Sequence, residues 1–134
     1  MSEQTSSGVM AGKRGLIMGV ANDRSIGWGI ASKLAEHGAE LAFTFQGEAL
    51  QKRVIPLAES VGSNLVLPCD VTDEASVDAV FDRLKSEWGE LDFVLHAIAY
   101  SDKEELKGGY VDTSRDNFQR TMDISVYSFT EITR

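Results

Sequence analysis

The chain has 134 residues, 43% of them hydrophobic and 25% charged, a composition that suits one ordinary globular domain with a real core. Thirteen basic residues against twenty-one acidic ones give a formal charge of -8, which argues against a nucleic-acid or anionic-membrane partner, since both require clustered Lys and Arg. No run approaches the roughly 20 apolar residues of a membrane span, and the single cysteine, Cys69, allows no internal disulfide, so the expected partners are small molecules or proteins and the expected location is the cytoplasm.

Residues 1–13 are polar and small and read as a short disordered tail. Gly15 to Met18 is a short apolar run ending in Gly19, as in a buried strand that feeds a turn. After a loop from Val20 to Arg24, Ile26, Ile30 and Leu34, with Ala31 and Ala35 beside them, form one face of a helix, and Gly38 supplies its left-handed stop. Glu40 to Phe45 is a second buried strand. Gly47 onward turns helical, with Leu50, Val54, Leu57, Ala58 and Val61 on one side and Pro56 expected to kink or divide it. Asn64 to Pro68 makes a third strand, and Val77, Val80, Phe81, Leu84 and Trp88 mark a helix that starts near Thr72 or Asp73 and closes at Gly89.

Leu91 to Ala97 is the fourth strand, followed by a polar loop to Asp112. Thr113 and Asp116 match a capping box, and Phe118, Met122, Val126 and Phe129 carry a helical stripe, either ordinary core or an interface. Strand and helix thus alternate four times, which predicts parallel strands joined by right-handed crossovers with helices on both faces: an α/β, doubly wound parallel sheet. The chain stops inside the fourth helical pattern without a fifth strand, so a fold truncated after the fourth strand and its following helix is expected. The outer edge of that strand would be unpaired, and such a half would be marginal or associating when isolated.

The loop Gly19 to Ile30 lies where backbone N–H groups at a helix start can hold a pyrophosphate while small residues let the chain approach. Its glycines are spaced more widely than in G-x-G-x-x-G, and a glycine-rich surface turn is the alternative. Gln46, at the end of the second strand, stands where dinucleotide enzymes commonly place an acid for the adenine ribose; a neutral glutamine with no cation before Lys52 and Arg53 favours NADH over NADPH, and an ordinary exposed polar residue is the alternative. Asp70 and Val71 close the third strand, where the acid can accept from an adenine amino group and the valine cover the ring, or Asp70 can serve the next helix as a cap. His96 reads as a hydrogen-bonded core histidine and His37 as a favourable charge at a helix end. Tyr100 and Lys107 have a Tyr-x6-Lys spacing, but in a charged loop after the fourth strand, and the match is taken as coincidence.

Gly19-Val20-Ala21 with Ser25-Ile26, Glu40 to Gln46, Cys69-Asp70-Val71, His96-Ala97-Ile98, Tyr110-Val111-Asp112 and Asp123 to Phe129 together resemble the bacterial NADH-dependent enoyl-acyl-carrier-protein reductases of the short-chain dehydrogenase/reductase superfamily. The resemblance implies a Rossmann-like fold, with residues 14–134 the N-terminal part of a single dinucleotide-binding reductase domain. It also implies NADH as cofactor, and a role in fatty acid synthesis: reduction of trans-2-enoyl thioesters carried on acyl carrier protein, in a homotetramer. By the same resemblance Gly19, Ser25 and Ile26 hold phosphates and ribose, Gln46, Asp70 and Val71 the adenosine, and Ile98 the nicotinamide side, while Ala99, Tyr100, Ser101 and Leu106 border the acyl pocket. Ala99 departs from the family's usual glycine, and the family's catalytic tyrosine and lysine fall beyond Arg134, so the 134 residues alone are expected to be inactive. A short-chain carbonyl reductase and a non-catalytic nucleotide-binding module are the competing readings.

Overall fold

A computed structural model describes residues 8–134. Its backbone contacts separate two compact units, one ending at Ala97 and one spanning Ile98–Arg134. The first unit runs β1 (Arg14–Met18), α1 (Ile26–Glu36), β2 (Glu40–Phe45), α2 (Glu48–Ser60), β3 (Val66–Pro68), α3 (Glu74–Trp88) and β4 (Phe93–His96). The second holds two short 3-10 turns, Lys103–Leu106 and Tyr110–Asp112, then α4 (Arg115–Met122), a π-helical turn (Asp123–Tyr127) and α5 (Ser128–Thr133).

The four strands form one parallel sheet in the order β3-β2-β1-β4, with a helix between each successive pair in the chain, the parallel arrangement expected from the alternation and the Rossmann-like one implied by the resemblance. Register explains the core. Ile17 pairs with Phe43 on one side and Leu95 on the other, so these three share a face. On that face Ile17, Leu41, Phe43 and Phe45 pack with Ala31 of α1 and Val54 and Ala58 of α2. Leu16 and Met18 point the opposite way and are equally buried, as strands in the middle of a parallel sheet require. β4 closes one edge: no described strand pairs beyond it, and its four residues are only half-buried.

Three expectations need revision. Of the tail predicted over residues 1–13, the first seven lie outside the described residues; residues 8–13 form turns in which the Met10 N–H donates to the His37 carbonyl at 2.8 Å and Met10 packs against the core. Of the kink or division expected at Pro56, division does not occur: the helix runs unbroken from Glu48 to Ser60. The carbonyl that loses its partner there belongs to Lys52, an exposed residue whose carbonyl water can satisfy. The third helix starts at Glu74, because Asp73 is its cap: the Asp73 carboxylate accepts from the Ala75 N–H at 3.1 Å.

Phe43 has no exposed surface and sits where α1 and α2 meet the sheet. Phe43→Ala is expected to cost about 3–5 kcal/mol of stability, read as a lower midpoint in denaturant unfolding with little change in slope.

Candidate functional site

In a parallel sheet the carboxyl ends of all strands lie on one side, and the residues just past those ends share that edge. In the first unit these are Gly19 after β1, Gln46 after β2 and Asp70-Val71 after β3. Sheet topology brings Gly19, Gln46, Asp70 and Val71 to one edge, and the loop from Gly19 leads to Ser25 and Ile26 at the start of α1, which makes six of the seven residues expected to hold a dinucleotide. The seventh, Ile98, belongs to the second unit.

Gly19 is the tightest point. Its φ is +104°, a backbone conformation that L side chains rarely adopt, and a Cβ at this position would collide with the Ala97 carbonyl oxygen. Two independent reasons thus require glycine there. The loop beyond it is held by its own polar groups: Ser25 Oγ accepts from the Ala21 N–H at 2.9 Å and the Asn22 N–H at 3.1 Å, and Asn22 Oδ1 accepts from the Arg24 N–H at 2.8 Å. Ser25, directly before α1, uses its oxygen to close the loop rather than to cap the helix. The first-turn N–H groups of α1, at Ile26, Gly27 and Trp28, have no partner within a helix by geometry and carry its positive dipole end. Gly27 is buried, and a Cβ there would stand 3.4 Å from that of Ala97, so the start of α1 lies close against the end of β4. Ile26 is 81% exposed, an unusual place for a large apolar side chain at the mouth of such a turn.

Gln46 is exposed, and Gly47 after it takes the chain into α2. The Asp70 carboxylate is partly committed: its Oδ1 accepts from both the N–H and the hydroxyl of Thr72, at 2.9 and 2.6 Å. Ser76 reinforces this turn, its hydroxyl donating to the Asp70 carbonyl at 2.8 Å while its oxygen accepts from the Asp70 N–H at 3.0 Å. Asp70 therefore organises the turn before α3 with one oxygen, while Asp73 does the capping. Neither Asn22 nor Ser76 was singled out from the sequence, though Asn-x-x-Ser after a strand and Asp before a Ser-bearing helix start are the signals that would have found them.

In the second unit, Ala99 is exposed, and the Tyr100 backbone is held by Ser125, whose hydroxyl oxygen accepts from the Tyr100 N–H at 2.9 Å. The Arg120 guanidinium lies 4.8 Å from the Tyr100 ring centre. Ser101 Oγ lies within hydrogen-bond distance of Asn117 Nδ2, at 3.1 Å, and of Thr121 Oγ1, at 3.2 Å. Leu106 ends a 3-10 turn with its side chain exposed. Lys107 pairs with Glu104 at 3.2 Å, in keeping with a chance Tyr-x6-Lys spacing. The predicted capping box is displaced by one residue: α4 is capped by Ser114, whose Oγ accepts from the Asn117 N–H at 3.1 Å. The adjacent Thr113 and Ser114 are both competent caps, and the register that won places Asn117, which is buried, against Ser101 and Asp102.

The family model described as enoyl-(acyl carrier protein) reductase matches residues 19–134. An enoyl-[acyl-carrier-protein] reductase [NADH] of Rhizobium meliloti (strain 1021) is 66% identical over 127 residues, covering 95% of this chain and 47% of the relative. The corresponding protein of Rickettsia felis is 52% identical, over 96% of this chain and 50% of its own length. Among solved structures, FabI from Candidatus Liberibacter asiaticus superposes with a TM-score of 0.93 at 57% identity, over 95% of this chain and 49% of that one. The enoyl reductase of Anaplasma phagocytophilum, solved in complex with NAD, gives 0.91 at 56% identity, over 96% and 50%. The chain spans about half the length of the relatives it matches.

Ser25→Ala removes the shared acceptor of two backbone donors. Amide hydrogen exchange at Ala21 and Asn22 is expected to quicken roughly three- to tenfold, the equivalent of one modest hydrogen bond, while exchange in β2 stays unchanged.

Proposed function

This chain belongs to the enoyl-(acyl carrier protein) reductase family, and on that premise we propose that it supplies the NADH-binding part of an enzyme that reduces trans-2-enoyl thioesters on acyl carrier protein in fatty acid synthesis. The observation that carries the reading is the Gly19 turn: a side-chain-free backbone position at the carboxyl edge of a parallel sheet, followed by a polar-laced loop and the unpartnered N–H groups of α1. NADH, when bound, supplies the hydride for the β carbon of the enoyl group.

Each residue's part follows from its chemistry. Gly19 lets the backbone approach the pyrophosphate, and Ser25 and Ile26, at the start of α1, hold phosphates and ribose with it, Ile26 with a side chain that otherwise faces water. The neutral Gln46 amide hydrogen-bonds the adenine ribose without supplying a cation for a 2′-phosphate. Asp70 accepts from the adenine amino group through the oxygen that Thr72 does not use, and Val71, half-buried, covers the ring. Ile98 lines the nicotinamide side. Ala99, Tyr100, Ser101 and Leu106 border the acyl group, with Ala99 one methyl larger than the family's usual glycine.

The tyrosine and lysine of the hydride-transfer step are not supplied by these residues. Tyr100 lies in a loop, and its lysine seven residues on is paired with Glu104. Tyr127 accepts a hydrogen bond from Arg134 at 3.0 Å and has no lysine in that register. The match to one family model runs across both compact units, which favours residues 14–134 as one dinucleotide-binding domain. No helix among the described residues is long and apolar enough to cross a membrane, and the net charge of -8 argues against a nucleic-acid partner; a cytoplasmic homotetramer completes the proposal.

Two measurements test it. NADH should bind the chain in a fluorescence titration, and Gln46→Ala should weaken binding about three- to tenfold, the loss of one exposed hydrogen bond, without shifting the unfolding midpoint; unchanged affinity would remove Gln46 from the site. Loss of NADH absorbance with an enoyl thioester should be absent for these 134 residues alone and present for an enzyme form that adds the tyrosine–lysine pair. Turnover with a ketone or aldehyde but not with the enoyl thioester would overturn the substrate assignment.

A further inference from the structure

We propose that Glu105 is the clasp of the loop that precedes α4, a positioning residue whose carboxylate fixes segment 102–113 to the first turn of that helix. The functional consequence, though not the clasp itself, rests on the reading of Ala99 to Leu106 as the acyl-side border.

Two polar anchors fix this segment. At its start, buried Asn117 accepts from the Asp102 N–H at 2.9 Å and reaches Ser101 Oγ at 3.1 Å. Nine residues along from Glu105, Ser114 gives the same carboxylate two hydrogen bonds: its N–H donates to Oε1 and its hydroxyl to Oε2, each at 2.7 Å. The same Ser114 hydroxyl oxygen accepts from the Asn117 N–H, so the two anchors meet at one cap. Between them the chain has little else to hold it. Leu106, Tyr110 and Val111 are all more than 70% exposed, and the only regular structure is two 3-10 turns of four and three residues. With no apolar burial, the loop's shape must come from hydrogen bonds.

Glu105 is the right group for that task. A carboxylate accepting two short, charge-assisted bonds in parallel binds more strongly and with narrower geometry than neutral partners do. Its charge also lies at the amino end of α4, where the helix dipole favours an anion. Cutting this one contact frees the loop between Glu105 and Ser114 while leaving the Asn117 anchor in place.

The test compares Glu105→Ala with Ser114→Thr, which keeps both donors and the cap. In Glu105→Ala, amide exchange at Asp112, Thr113 and Ser114 should quicken about tenfold or more, as the loss of hydrogen bonds to a charged group predicts, with Leu16, Ile17 and Phe43 unchanged. Ser114→Thr should exchange as the parent does. Glu105→Ala rates within twofold of the parent, or Ser114→Thr rates as fast as those of Glu105→Ala, would overturn the clasp. In an enzyme form that turns over, Glu105→Ala should raise KM for the enoyl thioester several-fold and leave KM for NADH unchanged. A loosened loop with both KM values unchanged would uphold the clasp and sink the acyl-side reading instead.

Discussion

The candidate site depends on a backbone approach that leaves no room for a methyl group. At the end of β1 the chain turns through Gly19 directly beneath the Ala97 carbonyl, at the end of the neighbouring β4. Parallel pairing of β1 with β4 fixes the carbonyl, and the positive φ at Gly19 sends the chain away from the sheet and into α1. A side chain there would have to displace either the sheet edge or the loop. β1 thus sets both the core, through Ile17, and the start of the candidate site, one residue past its end.

Around that point the polar side chains act on their own backbone first. Ser25, Asn22 and Ser76 hold turns, and Asp70 commits one carboxylate oxygen to Thr72. These internal bonds hold the turns of the candidate site in place by themselves. A loop already closed by them loses little conformational entropy on binding, so more of the interaction energy appears as affinity. A structural role for Ser25 or Asp70 is thus compatible with the binding role proposed for it.

The second unit obeys a different rule. Its helices carry Phe118, Met122, Val126 and Phe129 at 43–56% exposure, while Asn117, Ser128 and Ile132 are the buried positions. The expected apolar stripe exists as a sequence pattern but does not lie in the core. The π-helical turn at Asp123–Tyr127 intervenes within it, adding a residue to the turn and rotating α5 relative to α4. Polar contacts from Asn117, Ser125 and Ser114 organise the preceding loop where apolar packing does not.

The sequence by itself determined the alternation of strands and helices, their approximate limits, and the carboxyl-edge positions Gly19, Gln46 and Asp70, because period, glycine stops and buried apolar runs are local signals. It also carried the family, through motifs spread over most of the chain. Only the tertiary structure decided that α2 runs through Pro56, that Ser114 rather than Thr113 caps α4, and that the apolar stripe faces outward. Only it showed the Ala97 carbonyl above Gly19 and the grip of Glu105 on Ser114. Most of these depend on which groups lie near in space though apart in sequence, and the course of α2 depends on whether the Lys52 carbonyl reaches water. Two equally good caps one residue apart, or a proline whose orphaned carbonyl can reach water, have the same local propensity whichever outcome the packing selects.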